Sequence, residues 1–354
     1  MKSFCHSYNG PNMKLFRLLA LPLLALSIPW GCRHSTEPAA AGAVTRITYI
    51  SNTQVHVMGS DGEGDVALTT SSQGNYHPRV SLDGSKILFE SVPNNNTELY
   101  IMDSDGGHIQ RLTNNPGTDE YARFSPDGSK IIFNSANTSG TQIYAMDLDG
   151  GNRTQLTFSF SAALSPSFSH SGLKIVFVGV DSMGRSYLYL MNVGGGDQKR
   201  LSDSTWGAVA PAYSRDDSKI FYLIDQPGSG NTLVRRLCSF DLQTRTISIL
   251  TPDSLSIGGF DLTPDGRTVV FDALIFPNWD IWIMAVDGTD LVRLTDSPDA
   301  DYEPRVSARG GQIVWYAMGN RGSRLWIMGI DGSGKIQLTK GSSDDHSPCF
   351  FPNQ

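Results

Sequence analysis

Histidines, arginines and glutamates recur in this chain at matching offsets, and residues of these types can grip an anion or a metal ion. The residues are His77 and Arg79; Glu120, Tyr121 and Arg123; Tyr302, Glu303 and Arg305; and His346. An arginine fork can hold a carboxylate in bidentate fashion. His77, His346, Glu303 and Glu120 are ligand types for a divalent metal if the fold brings them together. The structural alternative is that arginines and acids pair off across neighbouring elements, with little effect beyond local order. Nearby aromatic residues, Phe160, Trp206, Phe276 and Trp279, offer a stacking surface for peptide side chains or sugar rings.

What must position these residues is a repeat. Leu-Thr or Leu-Ser pairs close seven segments, at Leu68, Leu112, Leu156, Leu201, Leu250, Leu294 and Leu338, with spacings of 44, 44, 45, 49, 44 and 44. Inside each unit a proline-led segment such as "HPRV" or "EPRV" precedes a turn such as "SPDGSK". A strand-like run such as "ILFES" or "IIFNS" comes next, then "LYIMD" or "IYAMD", and a Gly-rich turn leads to the Leu-Thr pair. Asp-Gly suits tight turns, and β-branched and aromatic runs suit strands. A period near 44 with four strands per unit predicts an all-β, seven-bladed β-propeller over residues 44–354. The last unit stops after one strand, "SPCFFPNQ", and the first supplies three, beginning at "RITYIS". The expected seventh blade is therefore composite, which would remove exposed sheet edges.

Alignment of the units separates architecture from candidate chemistry. Met58, Met102, Met146, Met191, Met284 and Met328 share one repeat position, with Phe240 in the fifth unit. They read as packing rather than a redox or metal box. The row Tyr100, Tyr144, Tyr189, Trp282 and Trp326 reads the same way. The runs "DSDGG" and "DLDGG" resemble the start of a calcium loop, but Asn114 and Phe158 stand where an acid is required, so they read as turns. The starts of the first strands do break the repeat. They read Tyr76-His77, Glu120-Tyr121, Leu164-Ser165, Val209-Ala210, Gly258-Gly259, Tyr302-Glu303 and His346-Ser347. All the polar and charged variants fall in four contiguous units, so the expected channel mouth is lopsided.

Residues 13–30 read as a basic then apolar export signal, with Met13 or Met1 as the start, and residues 1–31 as the whole signal peptide. Gly31-Cys32 followed by the linker 33–43 resembles a bacterial lipoprotein box, which implies lipid attachment at Cys32. The leader's three basic residues leave 25 basic against 35 acidic side chains, a net charge of −10. That balance excludes nucleic acid as an expected partner. Cys238 and Cys349 fall in units far apart, so both are expected to be unbridged and buried.

The pattern "FSPDGSKIIF…IYAMDLDGG…QLT" over 124–157 resembles the TolB-type, WD40-like (PD40) repeat, and the resemblance covers nearly all of the mature chain. It implies a propeller, and the sequence is expected to depart from TolB itself in lacking a separate N-terminal α/β domain and in having seven blades where the TolB propeller has six. Propellers of this type also resemble oligogalacturonate lyases, whose channel holds a histidine-bound metal. No phosphate loop, nucleophile elbow or zinc-spaced histidine pair is present. The expectation is a monomeric, non-catalytic, lipid-anchored binding protein of the bacterial cell envelope, periplasmic or surface-facing. It would have no cofactor and no bound metal, and would recognise a protein or peptide at the channel mouth. The alternative is a carbohydrate-binding protein or a polysaccharide lyase with a metal in the channel.

Overall fold

The computed structural model describes residues 44–70, 73–138, 140–202, 207–227 and 233–352. The segment expected to be a signal peptide, Cys32 and Trp206 lie outside them. The described residues are β-strands joined by turns, with one short 3-10 turn at Pro93–Asn95 and no α-helix.

Five sheets have four strands each, and a sixth has eight. The eight-stranded sheet consists of two four-stranded units, 119–155 and 162–200, joined by a single parallel pairing of Thr141 with Ala162. One four-stranded sheet runs Asp345–Phe350, Arg46–Ser51, Gln54–Gly59, Val66–Ala67, so a C-terminal strand pairs antiparallel with the first strand of the chain. The others run in chain order, each from a long first strand to a fourth strand of two or three residues. First strands form one edge of every unit. Second strands such as Lys86–Ser91 are buried along nearly their whole length, and fourth strands are exposed. This is the layering of a β-propeller, with a dry interior and a wet outer rim.

Neighbouring sheets stack face to face. Ile50, Val55 and Val57 pack with Val80, Ile87, Phe89 and Met102 of the following sheet. On the other face Ile47, Tyr49, Met58 and Phe350 pack with Val314, Leu325 and Ile327. Contacts between sheets follow chain order and return from the Ala300–Gln337 sheet to the strand Asp345–Phe350.

The Leu-Thr signature now has a physical cause. In all seven units the leucine N–H donates to a third-strand carbonyl at 2.8 Å, as Leu112 does to Leu99. The next hydroxyl accepts the N–H of that same third-strand residue at 2.9 to 3.1 Å. The pair therefore ends the fourth strand while giving that buried third-strand N–H an acceptor. The methionine row is buried throughout, with Phe240 equally so, as packing requires. The aromatic row stacks on second-strand rings, for example Tyr100 on Phe89 and Trp326 on Trp315. The "DSDGG" segment is a turn, with the Asp103 N–H bonded to the Gly107 carbonyl. Cys238 and Cys349 are buried and unbridged.

Each first strand also carries a β-bulge. The register slips between Tyr76 and Arg79, Glu120 and Arg123, and Tyr302 and Arg305, and likewise in the other units. At the bulge His77, Tyr121, Ser165, Ala210, Glu303 and Ser347 adopt φ between 48° and 56°. This left-handed backbone is costly for a side-chain-bearing residue, and more so before proline. Its recurrence at one position makes it part of the fold. Bulges re-aim side chains, and these re-aim the residues at the inner edge.

Candidate functional site

The mouth is built where the bulges turn the first strands. His77 Nδ1 lies 2.9 Å from Glu90 Oε2. The other oxygen, Oε1, accepts the backbone N–H of Tyr121 from the next unit at 2.8 Å. Glu90 is buried, and its carboxylate ties two units together through one histidine and one bulge. Burial alone would lower the His77 pKa, but the charge and hydrogen bond of Glu90, with Glu303 beyond it, turn the net shift upward. Burial likewise opposes ionisation of Glu90, and His77 and the Tyr121 N–H more than offset it, so that carboxyl is held below its usual range.

Around this pair runs an arc of rings. Tyr76 is tilted against His77 at 6.4 Å, and His77 stacks with Tyr121 at 6.2 Å. On the other flank Trp279 meets Tyr302 at 5.5 Å, Tyr302 meets Tyr316 at 5.5 Å, and Tyr316 meets His346 at 6.3 Å. Burial lowers the His346 pKa, and His77 lowers it further against the raising effect of Glu303. The two histidines therefore differ in kind: His77 is held toward its charged form and His346 toward its neutral one.

Of the residues singled out from sequence, His77, Glu120, Tyr121, Tyr302, Glu303, His346 and Trp279 are linked by these ring contacts and charges. Glu120 is pushed up by burial and by the charge of Glu90. Arg79, Arg123 and Arg305 lie deeper, with 3%, 8% and 4% of their surfaces exposed. Acids of other units act on them electrostatically, Glu303 on Arg79 and Glu90 on Arg123, while Arg305 pulls on Asp261. Each guanidinium folds back onto the carbonyl just before it, at Pro78, Ala122 and Pro304. Within a single strand Arg305 lies 4.0 Å from Glu303.

One of the expected stacking residues, Phe160, differs from expectation, while Phe276 is exposed as expected. Phe160 is not part of an exposed stacking surface. It packs edge-on against Phe177 and Tyr189, because Gly179 leaves the space; a Cβ there would lie 2.6 Å from the Phe160 ring. Phe276 is 90% exposed. Trp279 fits beside Gly258, where a Cβ would lie 2.9 Å from the indole and 2.2 Å from Asp272.

Sequence reading passed over Glu90, Asp272 and Tyr316. They share one second-strand position with Asn134, Val178, Leu223 and Ile50. A carboxylate inside a fully buried strand was the available signal. Asp272 accepts the Gly259 N–H at 2.6 Å, and burial pushes its pKa up to about 7. Asp261 is also pushed up by burial to about 7, against the pull of Arg305. Among the described residues no three His, Cys, Asp or Glu side chains are grouped so as to hold a metal ion.

The family described as "TolB beta propeller domain" (PD40) matches this chain over residues 39–273 and 146–354. The chain belongs to the TolB β-propeller family. An uncharacterized protein of Agrobacterium fabrum is 32% identical over 77 residues, covering 22% of this chain and 26% of the relative. The chain thus spans about a quarter of that relative's length. TolB from Acinetobacter baumannii matches with TM-score 0.57 and 20% identity, covering 87% of this chain and 67% of that one. An oligogalacturonate lyase in complex with manganese matches with TM-score 0.66 and 14% identity, covering 84% and 86%. At these identities the likeness is one of fold. As a TolB-like propeller, the chain shares its framework with TolB and with an oligogalacturonate lyase, and fold alone does not assign a function.

Proposed function

We propose that this TolB-like propeller is a non-catalytic binding module of the bacterial envelope, exported and lipid-anchored at Cys32, that recognises a protein or peptide at the channel mouth. In this reading the sheets form a seven-bladed monomeric ring over residues 44–354, closed by the composite sheet that contains Asp345–Phe350. The observation that carries it is the one-sided arc from Trp279 through Tyr302, Tyr316 and His346 to His77 and Tyr121, beside Leu164 and Val209 in the remaining units. Rigid aromatic side chains with polar tips are the residue types that anchor protein interfaces. Glu120 and Glu303 at the same rim favour a partner segment bearing lysine, arginine or amide donors.

The test is photocrosslinking in the native host from Tyr76, Glu120 and Tyr302, compared with Asp127 and Asp265 on the turn side. A discrete protein adduct from the first set alone supports the reading. Adducts from the turn side alone refute it. Substitution of Cys32 by alanine should abolish labelling by a lipid precursor, and persistent labelling removes the anchor.

A glycan is the second reading, favoured by the same rings and by the fold likeness to the lyase. A stoichiometric transition metal in the purified protein, lost in His77→Ala, would replace the binding reading with this one.

A further inference from the structure

Below the mouth, where the first strands run into their turns, Arg79, Arg123, Ser125, Ser167, Ser169 and His170 line a cavity of about 60 Å³. A single water needs only about 10–15 Å³ of such space, so the cavity has room for a small ion with its solvent. No acidic side chain lines it.

We propose that this cavity binds an oxoanion, a carboxylate or phosphate group, through Arg79, Arg123 and Ser167. The donors are already in place. Arg79 Nη1 donates to the Pro78 carbonyl at 3.2 Å, but Nε and Nη2 are buried with no hydrogen-bond partner. Ser167 Oγ, on a residue 4% exposed, is likewise buried without a partner. Orphaned donors of this kind are rare in folded proteins and call for a missing acceptor. An orphaned guanidinium is the more costly case, because it is both charged and desolvated.

The protein's own carboxylates do not supply that acceptor. Glu90 is committed to His77 and the Tyr121 N–H. Glu303 sits 4.0 Å from Arg305. The arginines instead depress one another: burial lowers Arg79, and Arg305 adds to it, while burial, Arg79 and Arg305 lower Arg123. Glu303 and Glu90 act on Arg79 only electrostatically and leave its two buried N–H groups without an acceptor, which one bound anion would supply. The two unpaired N–H groups of Arg79 form the planar fork that matches two oxygens of a carboxylate or phosphate. The other serines are otherwise engaged: Ser125 donates to Asp127, and Ser169 bonds Ser171. They shape the cavity wall rather than complete the donor set.

This inference does not depend on the mouth reading, since it uses residues at the opposite ends of the first strands. The oxygens can come from a free anion or from an acidic side chain of a partner segment threaded down the channel. The experiment is a thermal-shift and calorimetric titration of the full chain with inorganic phosphate and, separately, with a tetraglutamate peptide, at ionic strength matched with chloride. A saturable rise in Tm with phosphate identifies a free-anion site; a rise with the peptide alone identifies a carboxylate carried on a chain. Either response should weaken about 10-fold or more in Arg79→Gln, the 1.4 kcal/mol of one charge-assisted hydrogen bond. It should weaken measurably in Ser167→Ala, a change that breaks no bond of the fold and so remains informative if Arg79→Gln folds poorly. No rise with either probe, or an equal rise in wild type and Ser167→Ala, overturns the proposal.

Discussion

Glu90→Gln is the most informative single change to the mouth. The amide is nearly isosteric with the carboxylate, and its oxygen can still accept the Tyr121 N–H, now 2.8 Å from Oε1. What disappears is the charge that faces His77 at 2.9 Å between two largely buried side chains. A hydrogen bond to a charged partner contributes about 1.5–3 kcal/mol, so the variant should lose that much stability where both groups are ionised. The pH window follows from the shift directions. His77 is raised on folding, so its contribution is complete below the unfolded histidine value, about 6.5, and is lost as pH rises through the higher folded value. Glu90 is lowered, so its contribution is present above the unfolded value, about 4.3, and is lost as pH falls through the lower folded value. The cost of Glu90→Gln should therefore peak between about pH 4.5 and 6.5 and shrink on either side. Urea melts of both proteins across that range measure the cost, and histidine-ring NMR reads His77 directly. In the variant the His77 pKa should fall, because burial is then opposed only by the charge of Glu303. An unchanged or higher His77 pKa, or a cost independent of pH, refutes the reasoning.

Further outcomes follow from the same geometry. Thr157→Val strips the acceptor from the buried Ile143 N–H and the donor from Gln142, and should cost about 1–3 kcal/mol in denaturant melts, against almost nothing for exposed Thr154→Val. Asp272 has a raised folded pKa of about 7, so its ionised form penalises folding increasingly as pH rises from the unfolded carboxyl value to about 7. Asp272→Asn keeps an acceptor for the Gly259 N–H, and should be more stable than wild type at pH 8, with the gain vanishing below about pH 4. A pH-independent difference contradicts this. Deleting residues 345–354 removes the strand paired with Arg46–Ser51 and the buried Cys349, Phe350 and Phe351. Each buried Phe contributes about 2 kcal/mol, so calorimetry should record a large drop in Tm.

How far the sequence carried this picture depends on periodicity. The Leu-Thr pairs and the methionine row were legible because each repeats, and a feature made by the fold repeats with it. Mouth residues such as Tyr302 and His346 were legible for the opposite reason, since they break the repeat at one position. Glu90 and Asp272 break it too, but inside strands whose neighbours read as uniform core. Phe160 was misplaced because its exposure depends on a distant residue, the glycine at 179, which opens the space it fills. The depth of Arg79 and its orphaned nitrogens follow from the bulge at His77. That bulge places a left-handed residue before proline, against local preference, so no reading of propensity could have supplied it.

The central claim is that the arc from Trp279 to Tyr121 is the recognition surface. Photocrosslinking in the native host tests it most directly, with the probe at Tyr302 in one strain and at Asp127 in another. The account predicts a discrete protein adduct at Tyr302 that is lost when Trp279 is changed to alanine, and none at Asp127. An adduct at Asp127 alone, or one at Tyr302 indifferent to Trp279→Ala, would contradict it.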